Sequence, residues 1–123
     1  LEDDIPATLP ALARASKVQR RAAGWGFEWR SVGSAIEALK EEVGELGSHT
    51  DADNAEAEIG DVLFATVAAA RKLGVDPETA LRRTIRGFAE RYERFRALLQ
   101  ERRLDLEALT DEQVRTLFRE VRS

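Results

Sequence analysis

The chain has 123 residues, no cysteine and a formal net charge of −4, which is enough length for one domain with a buried core and excludes a disulfide framework. The mildly acidic balance argues against stable nucleic-acid binding. Neither end reads as a signal peptide and no apolar run is long enough to span a bilayer, so a cytoplasmic protein is expected. Abundant Ala, Leu, Glu and Arg with only three prolines predict an all-α fold. The start at Leu1, in a chain without methionine, implies residues missing from the N-terminus.

Residues 1–7 read as a frayed lead-in, and Pro6 and Pro10 mark the approach to a first helix over about residues 11–23. Leu12, Ala15, Val18 and Ala22 supply its apolar stripe, Lys17, Arg20 and Arg21 extend from the other sides, and Gly24 stops it. The next loop, Gly-Trp-Gly-Phe-Glu-Trp, holds both tryptophans of the chain, Trp25 and Trp29, with Phe27 between them. These aromatics either plug the end of a helical bundle or line a slot for a planar base, since stacking on an aromatic ring tolerates any base.

Ser31 or Ser34 can cap a second helix, with Glu37 completing a capping-box pattern three residues after Ser34. Ile36, Leu39, Val43 and Leu46 recur at helical spacing as its core seam. A polar turn follows, carrying His49, the only histidine, read as a solvated loop side chain, and Asp53 as N-cap of a third helix. That helix runs Ile-Gly-Asp-Val-Leu-Phe-Ala-Thr-Val-Ala-Ala-Ala from residue 59 to 70, apolar on nearly every side, which predicts burial. It ends near Leu73, with Gly74 as its C-cap.

Two acid pairs flank the polar turn: Glu42 with Glu45, and Glu58 with Asp61. Residues three apart share a helix face, so two such helices side by side bring four carboxylates together. Acidic residues at this spacing most often form a solvated face, and two features argue otherwise here. Asp61 has Phe64, Ala65 and Ala68 as helical neighbours, surroundings in which a carboxylate needs a partner or a metal. From Glu37 to Asp61 nine acidic residues face Lys40 alone, a net of −8. A hard divalent cation such as Mg²⁺, which takes carboxylate and phosphate oxygens, fits that pattern. On a helical wheel Glu42 lies beside the core seam, Glu45 further round and Glu41 nearly opposite.

Asp76 as N-cap and Pro77 at the first helical position start a fourth helix, expected to reach about residue 103. Leu81, Ile85, Phe88, Tyr92, Phe95 and Leu99 give it a long apolar stripe, and its many arginines form a solvated face from which a few can grip phosphate in a bidentate fork. A short last helix over about residues 111–121 is capped by Thr110, with Val114, Leu117, Phe118 and Val121 inward.

The segments Lys-Val-Gln-Arg-Arg-Ala-Ala-Gly-Trp-Gly-Phe-Glu-Trp, Glu-Glu-Val-Gly-Glu-Leu and Glu-Ile-Gly-Asp-Val-Leu-Phe-Ala, running on through Leu-Gly-Val-Asp-Pro-Glu, together resemble the MazG-type nucleoside triphosphate pyrophosphohydrolases of the all-helical NTP pyrophosphatase superfamily. The resemblance implies a four-helix-bundle-like MazG domain over residues 1–123 with an added C-terminal helix, dimerising through its long helices. It also implies metal ligation by Glu42, Glu45, Glu58 and Asp61, with Glu41 as an extra acid for metal or water. The fourth helix departs from the family's Asn-x-Lys-Phe pattern, carrying Ile85 and Gly87 ahead of Phe88, whereas Arg91 is retained and Arg86 stands near enough in sequence to substitute.

The expected activity is Mg²⁺-dependent hydrolysis of a nucleoside triphosphate to the monophosphate and pyrophosphate, with Mn²⁺ as a substitute cation. Glu41 would handle the attacking water, Arg86, Arg91 and Arg122 the phosphates, and Phe27, Trp29 and Phe118 the base. The alternative is a MazG-like dimerisation or nucleotide-sensing module with weakened catalysis. A di-iron bundle would need Glu-x-x-His pairs that a single histidine cannot supply, and RNA binding along the arginine-rich helix is opposed by the neighbouring acidic cluster.

Overall fold

The computed structural model describes residues 1–49 and 51–122, except for the side chain of His49. Among them lie five α-helices and a 3₁₀ turn, with no strand: α1 (Ala11–Gly24), α2 (Val32–His49), α3 (Ala55–Lys72), α4 (Pro77–Glu101), the turn Leu106–Ala108 and α5 (Asp111–Glu120). The all-α expectation holds. The chain forms two compact units, Leu1–Ala80 and Leu81–Ser123, and α4 begins in the first and continues into the second.

In the first unit α2 and α3 pack along their lengths, and α1 lies against α3. Consecutive helices joined by a short turn form an αα-hairpin. The acid pairs sit within two turns of the α2 C-terminus and the α3 N-terminus, so the hairpin brings them to one end at the same height. Small residues permit the close approach: Ala35, Val67, Ala68 and Ala69 are buried.

The helix ends follow local chemistry, with some revisions. α1 continues through Gly24 and stops at Gly26, whose φ of +96° is a conformation glycine adopts without a Cβ penalty. There the N–H of Phe27 donates to Ala22 O and that of Gly26 to Ala23 O, the paired bonds of a Schellman stop. Ser31, not Ser34, caps α2: its Oγ accepts from Ser34 N at 3.0 Å while Ser34 Oγ accepts from Ser31 N at 3.2 Å. Glu37 instead pairs with Lys40. The α3 N-cap is Asn54, one residue beyond Asp53, and a second Schellman stop closes α3 at Gly74 (φ +74°). Asp76 caps α4 as expected, accepting from Glu78 N and Thr79 Oγ1. The backbone of His49 belongs to the end of α2 and not to the polar turn; its side chain falls outside the described part.

Burial departs from the sequence pattern in two places. α1 buries Ser16 and Gln19, leaving Leu12, Ala15, Val18 and Ala22 half-covered. On α3 only Val67, Ala68 and Ala69 are buried, whereas Ile59, Leu63 and Phe64 remain about half exposed. Two neighbouring helices cannot cover a helix that is apolar all round.

The second unit has its own core of Phe95, Leu99 and Val121, joined by Leu98, Leu109, Val114, Leu117 and Phe118. Phe118 meets Phe95 edge to face at 5.4 Å between centroids, a favoured aromatic geometry. α5 is set by a capping box between Thr110 and Gln113. The first half of the predicted α4 stripe, Leu81, Ile85, Phe88 and Tyr92, is exposed.

Candidate active site

A cavity of about 930 Å³ opens in the first unit. Its wall combines the aromatic loop (Trp25, Phe27, Trp29) with Glu41 and Glu42 from α2, and Asp61, Phe64, Ala65 and Ala68 from α3. The neighbours predicted for Asp61 therefore do surround it, although Asp61 itself is exposed to the cavity and not buried. Nor do the aromatics plug a bundle: Trp25 is 90% exposed and Phe27 82%, so their faces are available to a ligand.

Glu42 and Glu58 are the half-buried members of the acidic group, Glu42 in line with its place beside the α2 seam. The Glu42 carboxyl is pushed above the ordinary range, first by desolvation and then by the like charges of Glu45, Asp61, Glu41 and Glu58. Glu45, Asp61, Glu41 and Glu58 thus all act electrostatically on Glu42 across the hairpin. Among the described residues no three acidic or histidine side chains are closed into a ligand shell. The donor set nevertheless fits a hard divalent cation, because all its atoms are carboxylate oxygens and their repulsion is what a bound cation would relieve.

The cavity also contains a network that sequence reasoning did not find. Arg71, near the end of α3, donates from Nη1 and Nη2 to Glu28 Oε2 and Oε1, each at 2.9 Å, and from Nε to Gln19 Oε1 at 2.9 Å. Gln19 Nε2 in turn donates to Phe64 O at 2.9 Å. The Arg71 hydrogen bond, partly opposed by burial, holds the Glu28 carboxyl down at about 2. The signal was an arginine directly after an alanine run, which must find acceptors, and a glutamate between two aromatics. With Arg71 engaged by Glu28, the ionisable side chains named on the wall are four carboxylates and one guanidinium, a net of −3.

The remaining candidates belong to the second unit. Arg91 donates from Nε to Val121 O at 2.6 Å and from Nη2 to Phe118 O at 2.7 Å. Its guanidinium also lies 3.9 Å over the Phe118 ring. Both residues thus hold the end of α5 against α4. Arg122 lines a separate cavity of about 420 Å³ with Arg94, Arg102 and Glu120, and Arg86 is exposed.

Residues 30–96, more than half of the chain, match the model of the MazG nucleotide pyrophosphohydrolase domain. The chain is 35% identical over 125 aligned positions to a nucleoside triphosphate pyrophosphohydrolase of Escherichia coli K12, covering 98% of this chain and 48% of that protein. It is 38% identical over 111 positions to the nucleoside triphosphate pyrophosphohydrolase/pyrophosphatase MazG of Thermotoga maritima, covering 90% and 44% respectively. The chain therefore spans about half the length of the curated relatives it matches. From its helices, its paired acids and this match, the chain belongs to the MazG nucleotide pyrophosphohydrolase domain family.

Proposed function

We propose that the chain hydrolyses nucleoside triphosphates to the monophosphate and pyrophosphate. The observation that carries this is one cavity that joins exposed aromatic faces to Glu41, Glu42 and Asp61, in a chain of this family. A net of −3 on that wall repels a bare triphosphate, so binding requires a cation between the carboxylates and the phosphates. Glu42, Glu45, Glu58 and Asp61 are the residues proposed to hold it, with Mg²⁺ the favoured ion and Mn²⁺ a substitute. When bound, such an ion offsets charge on the leaving pyrophosphate and makes a water more acidic.

The side chains divide the remaining work. Phe27 and Trp29 stack on the base, which fixes the nucleotide by a face common to all bases. Glu41 accepts a proton from the attacking water. The water oxygen bonds to the α-phosphorus, the bond from that phosphorus to the bridging oxygen breaks, and pyrophosphate leaves with the electron pair. The assignment of phosphate contacts to Arg86, Arg91 and Arg122, and of a base contact to Phe118, rests on the family resemblance. A homodimer and a cytoplasmic setting belong to the same reading.

Hydrolysis in ¹⁸O-labelled water tests it directly: the label is expected in the monophosphate, with unlabelled pyrophosphate. Label in orthophosphate would place attack at the terminal phosphorus and overturn the assignment. The module without catalysis is favoured by one feature, Gly87 and Ile85 where the family pattern has lysine and asparagine. Nucleotide and metal binding with no product across a nucleotide panel would establish it instead.

A further inference from the structure

Arg71 joins three parts of the cavity wall: α3, which carries it, Gln19 on α1 and Glu28 in the aromatic loop. Its three guanidinium nitrogens are all committed, two to Glu28 in the aromatic loop and one to Gln19 on α1, each at 2.9 Å. Its side chain is 10% exposed and that of Glu28 28%, so the guanidinium end of the fork is largely shielded while the carboxylate end is partly open to water. Gln19 is buried and uses both ends of its amide, accepting from Arg71 and donating to the Phe64 carbonyl. Glutamate in its place would lose that donor. Glu28 lies between Phe27 and Trp29, and its carboxylate also accepts from the backbone N–H of Trp29 at 3.0 Å.

The consequence is mechanical. Beyond the Schellman stop at Gly26, the Arg71–Glu28 fork ties the aromatic loop to α3, the helix that carries Asp61. A two-point fork fixes direction as well as distance, which a single charge contact does not. It also engages three of the five guanidinium N–H donors with protein acceptors, one on each nitrogen.

We infer that Arg71 is a positioning residue which, gripped by Gln19 and Glu28, sets the aromatic loop at the spacing from Asp61 that a nucleotide requires. It governs how well the base is held and has little part in the bond-breaking step. The inference rests on the nucleotide hydrolysis proposed above.

The test is a double-mutant cycle of Arg71→Lys and Glu28→Gln, read by KM and kcat for a nucleoside triphosphate and by tryptophan emission, since both tryptophans of the chain lie in this loop. Each single variant is expected to raise KM about tenfold, equivalent to the 1.4 kcal/mol of a tenfold step, with kcat within about twofold. The double variant should match the singles, because one fork is lost in all three. Tryptophan emission should shift to the red and acrylamide quenching should rise in each. Unchanged KM and emission in the singles, or independent and multiplicative effects in the double, would overturn the inference. Red-shifted emission in a protein whose wild type hydrolyses no nucleotide would keep the loop tie while refuting the proposed function.

Discussion

Glu42 carries the conflict on which this site is built. Desolvation first, and then the like charges of Glu45, Asp61, Glu41 and Glu58, raise its proton affinity, so its charged form is disfavoured in the absence of a cation. Replacing it by the neutral isostere removes the repulsion, so Glu42→Gln is expected to raise the Tm of the metal-free protein while lowering metal-dependent turnover by about a hundredfold or more. Differential scanning calorimetry and a turnover assay check the two halves; a drop in Tm without metal would show that the acids are not in repulsion. Gly87 offers a second test. A Cβ built there meets no atom within 4 Å, and lysine is a better helix former than glycine, so Gly87→Lys should stabilise the protein by about 0.5–1 kcal/mol. It should also raise kcat/KM if the departure from the family pattern weakens phosphate binding. Loss of stability would mean that the position is not free.

Among the elements, the aromatic loop and α5 are each tied down by one arginine. Glu28 has its carboxyl lowered from 4.5 to about 2 by Arg71. A carboxyl depressed in the folded state adds stability that is fully present above the unfolded value and is lost as pH falls toward the folded one. The tie should contribute about 1–3 kcal/mol near neutral pH, and the Tm difference between wild type and Glu28→Gln should shrink as pH falls from about 5 to about 2; a difference constant over that window would rule out the pair as its source. α5 depends on Arg91, whose two bonds to the carbonyls of Phe118 and Val121 satisfy helix-end acceptors. Arg91→Ala should cost about 2–3 kcal/mol, and Thr110→Ala, which removes the capping box, about 1 kcal/mol, both read by urea denaturation. Helix positions, the Pro77 start, the Gly74 stop and the acid pairs were legible because each is written in residues adjacent in sequence. The Gln19–Arg71–Glu28 network was not, because its partners are 43 and 52 positions apart and only packing of α1 on α3 brings them together. The α1 stripe misled for a related reason: Gln19 and Ser16 are polar and fall outside it, yet α3 approaches from their side.

For the whole chain, the amount of uncovered apolar surface is the main departure from what the sequence led us to expect. Ile59 and Leu63 on α3, and Leu81, Ile85 and Phe88 on α4, are each 45–59% exposed, in helices whose patterns predicted burial. The proposed homodimer accounts for such faces by covering them with a second copy, and a chain of this length gains much from that burial. Analytical ultracentrifugation should give a dimer, and Leu63→Glu combined with Ile85→Glu should give a monomer with a lower Tm; a wild-type monomer at micromolar concentration would refute it. No helix among the described residues is long and apolar enough to cross a membrane.

The central claim is that the hairpin's acids, by holding a divalent cation, turn this cavity into a pyrophosphohydrolase site. It is tested most directly by pyrophosphate release from a panel of ribo- and deoxyribonucleoside triphosphates, with and without Mg²⁺, in wild type and Asp61→Ala. Release that requires the metal and falls at least about a hundredfold in the variant is the predicted result. Release that persists without metal, or that Asp61→Ala leaves unchanged, would contradict it.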